Sequence, residues 1–176
     1  MYPVIRLAKE FFLFRNAEPL GVFDTHVSHH VCWPWDLDLW MELNNGRTLT
    51  IYDLGRLPFA KRTGLVDVLR RKRWGLTMAG ASVRYRRRVR MFETMEIRSK
   101  ALCWDERFIY LEQSMWVKGA PASSILYRSA VTGKDGIVPP SQVVEELGHD
   151  IRSPEPPLWV AEWIKAEAHR PWPPNP

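Results

Sequence analysis

Between residues 76 and 131 hydrophobic and polar positions alternate with a period of two, the signature of strands that bury one face. In residues 76–90, Arg84, Arg86, Arg88 and Arg90 share one face and Val83, Tyr85 and Val89 the other, with Arg87 the exception on the apolar side. Residues 94–104 set Met95, Ile97, Ser99, Ala101 and Cys103 against Glu96, Arg98 and Lys100. Polar or turn-forming stretches at 105–107, 118–121 and 132–136 bound two further runs, 108–117 and 123–131. An earlier strand is predicted over 22–35, rich in Val, Phe, Trp and Thr, with Pro34 placing an edge or bulge near its end. The period changes to that of a helix over 45–63, where Leu49, Tyr52, Arg56 and Phe59 recur with Ile51 and Leu54 beside them. This helix should start within two residues of Asn45, kink or restart at Pro58, and stop at Gly64. Residues 65–72 form a short helical turn. Ser141 caps a short helix that Gly148 ends, and 158–168 form another, with Trp159, Val160, Trp163 and Ile164 on one face. Residues 1–15 carry Val4, Ile5, Leu7, Ala8, Phe11, Phe12 and Phe14 at the spacing of an amphipathic helix.

Successive strands with short connections make an antiparallel sheet, and the one long early helix must cover a face of it. That is the α+β class. With 176 residues the chain is sized for one domain. It divides into an N-terminal amphipathic segment (1–21), the main domain (22–148) and a C-terminal helix with a Pro-rich tail (149–176). The tail, from Arg170 on, is a loose end or an extended arm on a neighbour. The N-terminal helix packs on its own protein or a partner subunit, with a membrane surface as the alternative.

Composition narrows the class. Apolar residues make up 45% and charged residues 26%, as in folded soluble proteins. Nine Trp call for a deep core, an apolar tunnel or a subunit interface. Cys32 and Cys103 make neither a disulfide framework nor a zinc site, so the default compartment is the cytoplasm. The five histidines show no metal-ligand spacing. Residues 1–15 lack a signal-peptide core, and no run reaches the roughly 18 apolar residues of a membrane span. The net charge of +5 is concentrated at Arg70–Arg73 and Arg84–Arg90. No nucleic-acid-binding motif accompanies these arginines, so a phosphorylated small molecule is the better partner for them.

The chemistry lies in residues 36–47, Asp-Leu-Asp-Leu-Trp-Met-Glu-Leu-Asn-Asn-Gly-Arg. Asp36 and Asp38, two apart in an extended strand, would leave from the same face. Glu42 follows in the loop, and Asn44-Asn45 supply an amide oxygen for capping a helix. A carboxylate beside a helix N-terminus supplies a base or nucleophile next to N–H groups that can receive an oxyanion.

The segment resembles the hotdog-fold thioesterases of the 4-hydroxybenzoyl-CoA thioesterase type, whose usual pattern is Asp-x-Asp-x-x-Gly-His-Val-Asn-Asn-x-x-Tyr. Asp36, Asp38, Asn44 and Asn45 match. Leu43 stands for Val, Met41 for Gly, Glu42 for His and Thr48 for Tyr. The order of elements agrees over about residues 22–148. The resemblance implies a sheet wrapped around the long helix and a homodimer or tetramer with the site between subunits. It also implies hydrolysis of acyl-CoA or a related acyl thioester without a cofactor. Asp38 would be the general base or nucleophile, and Asp36 a brace for the loop. Asn45 and Gly46 would present the oxyanion-binding N–H groups. Asn44 would order the loop or the attacking water. Glu42 would be a second acid–base group or a solvated one, and Arg47 would pair with Asp36 or Asp38 or meet the ligand. Tyr52, Arg84 and Arg86 complete the candidate substrate contacts. The departures at Glu42 and Thr48 leave a non-catalytic acyl-binding protein as the alternative.

Overall fold

The computed structural model describes residues 2–171 and 173–174. Trp172, Asn175 and Pro176 of the predicted tail lie outside the described residues. The elements run α1 (Val4–Leu13), β1 (His26–Val31), a 3-10 turn (Pro34–Asp36), α2 (Asn45–Arg62), α3 (Leu65–Lys72), β2 (Gly75–Tyr85), β3 (Thr94–Trp104), β4 (Ile109–Val117), β5 (Ala120–Gly133), β6 (Gly136–Val138), α4 (Pro140–Glu146) and α5 (Leu158–His169). The strands form one antiparallel sheet in the order β1-β3-β4-β5-β2, and β6 folds back on β5.

The sheet curls around α2. Ile51, Tyr52 and Phe59 of the helix pack with Met95, Ile97, Met115, Ile125 and Tyr127 into the main core. The seat is tight at Gly55, where a Cβ would meet Ile97 Cγ2 at 2.8 Å and Ser99 Oγ at 2.9 Å. Gln113 Nε2 donates to the Tyr52 carbonyl at 2.9 Å and to Ser99 Oγ at 2.7 Å, tying the helix backbone to β3 and β4. α5 covers the opposite face, where Val160, Trp163 and Ile164 meet Cys103, Tyr110 and Leu126. Trp159, expected on the same face, is exposed. α2 runs through Pro58 as a single helix rather than restarting there.

Several sequence-based expectations need correction. β1 is shorter than residues 22–35, because the chain turns into a 3-10 helix at Pro34. Asp36 ends that turn, so Asp36 and Asp38 do not share the face of a strand. β2 ends at Tyr85. The N–H groups of Arg86 and Arg87 both donate to the Ala122 carbonyl, which bends the chain out of the ladder. Arg84 is therefore a strand residue, whereas Arg86, Arg88 and Arg90 belong to the connection that follows. The short strand β6 sits where only the end of a turn is predicted. α4 begins after Pro139, with no side-chain cap from Ser141.

α1 packs with its polar side inward. Arg6 and Glu10 face the body of the protein, and Glu10 is buried against β1. The inward side of β1 is itself polar, presenting His26, Ser28 and His30. His30 Nε2 lies 2.9 Å from Ser28 Oγ, and its Nδ1 lies 3.7 Å from Glu10. His26 Nδ1 lies 3.1 Å from Arg62, and Phe14 packs edge-on to the His26 ring. Burial, helped by nearby positive charges, lowers His26 to about 4 and His30 to about 3. Burial raises the Glu10 carboxyl. Val4, Ile5, Ala8, Phe11 and Phe12 of α1 consequently face outward.

Gly55→Ala should destabilise the protein by about 1–3 kcal/mol, even though alanine favours helices, because the added methyl has no room. Thermal or urea unfolding will measure this. The histidines predict a pH effect whose sign follows from their lowered folded pKa. The unfolded chain takes up protons near 6.5 while the folded chain stays neutral at these sites, so their contribution falls as pH drops from about 6.5 toward 4. Buried Glu10 acts in the opposite sense, so the clean measurement is differential. Between pH 7 and 4.5, wild type should lose more stability than His26→Gln, by up to about 1 kcal/mol per pH unit.

Candidate active site

The 36–47 loop is a small, closed hairpin built by its own backbone. Leu37 bridges Leu43, Asp38 N–H donates to the Glu42 carbonyl at 2.8 Å, and Asn44 N–H donates to the Asp36 carbonyl at 2.9 Å. Leu43 N–H donates to Val89, and Glu42 bridges Arg90, which fastens the hairpin to the chain leaving β2. At the tip Met41 takes φ +59°, the left-handed conformation that favours glycine. This is the position where the resembled pattern has Gly. Leu39 and Trp40, beside it, are 94% and 77% exposed.

The two aspartates have different jobs. Asp36 is buried. Its Oδ2 accepts from Arg6 at 2.7 Å and from Trp33 N–H at 3.1 Å, and Arg47 Nε lies 3.0 Å from its Oδ1. It joins α1, the 3-10 turn and the start of α2, and acts as a brace. Asp38 is half-buried, and its Oδ1 accepts from the N–H groups of Trp40 at 2.9 Å and Glu42 at 3.3 Å.

α2 starts at the predicted place. Asn44 is its N-cap, with Oδ1 accepting from Arg47 N–H at 3.0 Å. Asn45 and Gly46 hold the first two helical positions, whose N–H groups have no carbonyl one turn back. A cleft of about 230 Å³ opens at this end of the helix, lined by Glu42, Asn45, Thr48, Tyr85, residues 86–89, Met115 and Ser123. Arg88 Nε lies 2.8 Å from Glu42 Oε2 inside its rim. Tyr85 Oη donates to the Asn45 carbonyl at 3.2 Å. Asn44, Gly46 and Arg47 line a separate, shallower hollow with Tyr2, Trp35 and Leu37.

Of the residues expected at the site, Glu42, Asn45 and Arg86 therefore share the cleft. Asp38 stands in the adjoining loop and is not among the lining residues. Tyr52 is fully buried, its hydroxyl 2.8 Å from Ser123 Oγ, so it reaches the cleft only through that serine. Arg84 is exposed on β2, outside the cleft lining. Thr48, Tyr85 and Ser123 line the cleft without being expected from sequence, and Arg87 and Arg88 line it as members of the Arg84–Arg90 group expected to meet phosphate. Tyr85, Arg87 and Arg88 sit in or just beyond the arginine-rich alternation, which was the available signal. Ser123 is brought in only by sheet pairing. A nearly all-apolar hollow of about 50 Å³ lies under the other half of α2, between Phe59, Leu76, Leu111 and Val143, far from the loop. Among the described residues no group of three His, Cys, Asp or Glu side chains could hold a metal ion, and no helix is long and apolar enough to cross a membrane.

A curled antiparallel sheet around a helix whose N-terminus opens into a cleft defines a hotdog protein. Residues 32–164 match the model of the thioesterase-like superfamily, and the chain belongs to that superfamily. It is similar to Protein THEM6 of Xenopus laevis, with 36% identity over 143 residues covering 80% of this chain and 67% of that one. Among solved structures it resembles the DHNA-CoA thioesterase of Staphylococcus aureus, with TM-score 0.62, 11% identity, and coverage of 82% of this chain and 91% of that one. It also resembles the protein SAV2348 of the same organism, solved in complex with CoA, with TM-score 0.60, 12% identity, and coverage of 78% and 100%.

Asp36→Asn should lower stability by about 3 kcal/mol, since it removes the charge that compensates Arg6 in a buried site. Arg6→Met in the same background should cost little more, because the two changes break one interaction. A double-mutant cycle from urea unfolding will measure the coupling.

Proposed function

We propose that the protein hydrolyses acyl-CoA or closely related acyl thioesters at the N-terminus of α2. The observation that carries the reading is the cleft that joins the first turn of a helix to a run of three arginines, with the hairpin that holds Asp38 adjoining it. The thioester carbonyl would lie at the first turn of the helix, against the N–H group of Asn45, which lines the cleft, with Gly46 next to it in the chain, where charge developing on its oxygen is stabilised by the helix end. Asp38 would activate water or attack the acyl carbon. Two backbone donors on one of its oxygens fix its orientation. Glu42, paired with Arg88, takes the place of the histidine in the resembled pattern, and its pairing suits it to holding the rim of the cleft. Arg86, Arg87 and Arg88 suit the CoA phosphates. The CoA-bound structural relative supports this assignment.

The working unit is a homodimer or a tetramer of dimers. β2 is an edge strand with an unpaired side, and its residues are largely exposed. A second copy paired there, and covering the Leu39–Trp40 tip, completes the site.

A second reading, acyl binding without turnover, is favoured by the hydrogen bonds that commit Asp38 to its own loop and by Glu42 and Thr48 at the His and Tyr positions. A screen of acyl-CoA thioesters with detection of released thiol separates the two. Asp38→Asn should lower kcat at least about 10²-fold with the fold intact, and Glu42→Gln should lower it less. Wild-type turnover in Asp38→Asn would remove Asp38 from the mechanism. Tight acyl-CoA binding with no thiol release in the wild type would establish the second reading.

A further inference from the structure

The helix α1 is inside out. Successive residues of a helix turn by 100°, so Val4, Ile5, Ala8, Phe11 and Phe12 occupy an arc of about 120°. All five are exposed, Ile5 by 87% and Phe12 by 63%. The opposite arc carries Arg6 and Glu10 into the protein, where Arg6 is bound to Asp36 and to the Val31 carbonyl, and Glu10 is buried beside His30. The docking is held by polar contacts, which leaves the apolar arc unused by the fold. Leu13, also exposed, lies beyond Lys9 and outside the arc.

Its surroundings are basic. Lys9 stands on the edge of the arc, and Arg15 lies over the Phe12 ring at 3.8 Å. Phe11, Phe14 and Arg15 line a groove with Lys61, Arg62 and Arg70. Asp67 pairs with Lys61, and Lys9 lies 3.4 Å from Glu10, while Arg15 and Arg70 are exposed. At the other end of the helix, Tyr2 shares a hollow with the exposed Trp35.

We infer that α1 is a membrane-surface anchor, which lays its outward apolar arc into the interface of an anionic lipid bilayer while Arg15 and Arg70 meet lipid phosphates. An apolar face with cationic flanks is the form that binds such interfaces, inserting about 5–10 Å. Two considerations favour lipid over a second copy of the chain. A ten-residue helix is only about 15 Å long, too short to supply the roughly 800 Å² per partner of a stable protein interface. A two-fold contact through this arc would also bring the cationic flanks of both copies, Lys9 and Arg15, into one interface. α1 lies beside β1, at the sheet edge opposite β2, so pairing of β2 edges leaves it free to meet a bilayer.

The test is sedimentation of the full chain with vesicles, some of pure phosphatidylcholine and others with about one-third phosphatidylglycerol. Wild type should bind the anionic vesicles at least about tenfold more tightly than the neutral ones, and high salt should weaken that binding. The double variant Ile5→Ser/Phe12→Ser should lose at least about tenfold in affinity, with an unchanged melting temperature. Arg15→Glu/Arg70→Glu should abolish the preference for anionic lipid. Absence of binding to either vesicle, or equal binding by wild type and Ile5→Ser/Phe12→Ser, overturns the proposal. A smaller assembly in light scattering for that variant, without vesicle binding by wild type, assigns the arc to a second copy and overturns it too. The readout uses no thioester, so failure of the proposed hydrolysis leaves it intact. Conversely, hydrolysis of a short water-soluble thioester should be the same in wild type and in Ile5→Ser/Phe12→Ser.

Discussion

The close seating of α2 on the sheet governs the rest of the molecule. Gly55 lets the helix backbone approach β3 within the reach of one missing methyl, and Gln113 bridges the Tyr52 carbonyl and Ser99 across that gap. With the helix fixed at its middle, its N-terminus is fixed too. The start of the helix then faces the ends of β2 and β5, which contribute Tyr85 and Ser123 to the cleft. A longer approach distance would move every group at that end relative to the sheet.

The 36–47 hairpin is held from three sides: by its own backbone, by Leu43 and Glu42 against residues 89–90, and by Asp36 at the centre of Arg6, Trp33 and Arg47. The hairpin is thereby a rigid support for the Asp38 carboxylate, whose orientation is set by the N–H groups of its own loop. Of the substitutions relative to the resembled pattern, Met41 and Glu42 fall on the tip and rim, and Thr48 falls in the first turns of α2, where it lines the cleft. The residues that build the frame, Asp36, Asn44 and Asn45, are retained. Met41 accepts the left-handed conformation that a glycine would take more easily.

Much of the fold could be read from the chain because local and global preferences agree. Asn44 caps the helix whose pattern begins one residue later, and the alternation of residues 94–104 coincides with β3. The failures have specific causes. Alternation in the arginine stretch outlasts its strand, because only the two N–H bonds to Ala122 end the ladder, and Ala122 is remote in sequence. Pro34 suggests an edge or a bulge; β1 is an edge strand, and at Pro34 the chain makes a 3-10 turn in place of a bulge. Periodicity revealed that α1 is two-sided but not which side turns inward; that depends on the polar inner face of β1. At the site, the residues of one contiguous loop were accessible to reading. Ser123 and Tyr85 were not, because strand register delivers them.

The bond between Arg6 and Asp36 bears on what counts as the smallest foldable piece of this chain. A division at residue 21 looks natural from sequence, with a short amphipathic leader before a self-sufficient body. The leader nevertheless supplies one of the two counter-charges to a buried carboxylate and the cover for three inward polar side chains of β1. A protein trimmed to its sheet and central helix would leave Asp36 with Arg47 but without Arg6 under the 36–47 hairpin, and would uncover a row of His and Ser. The first helix is thus an internal part of the body, placed by chain order at its end.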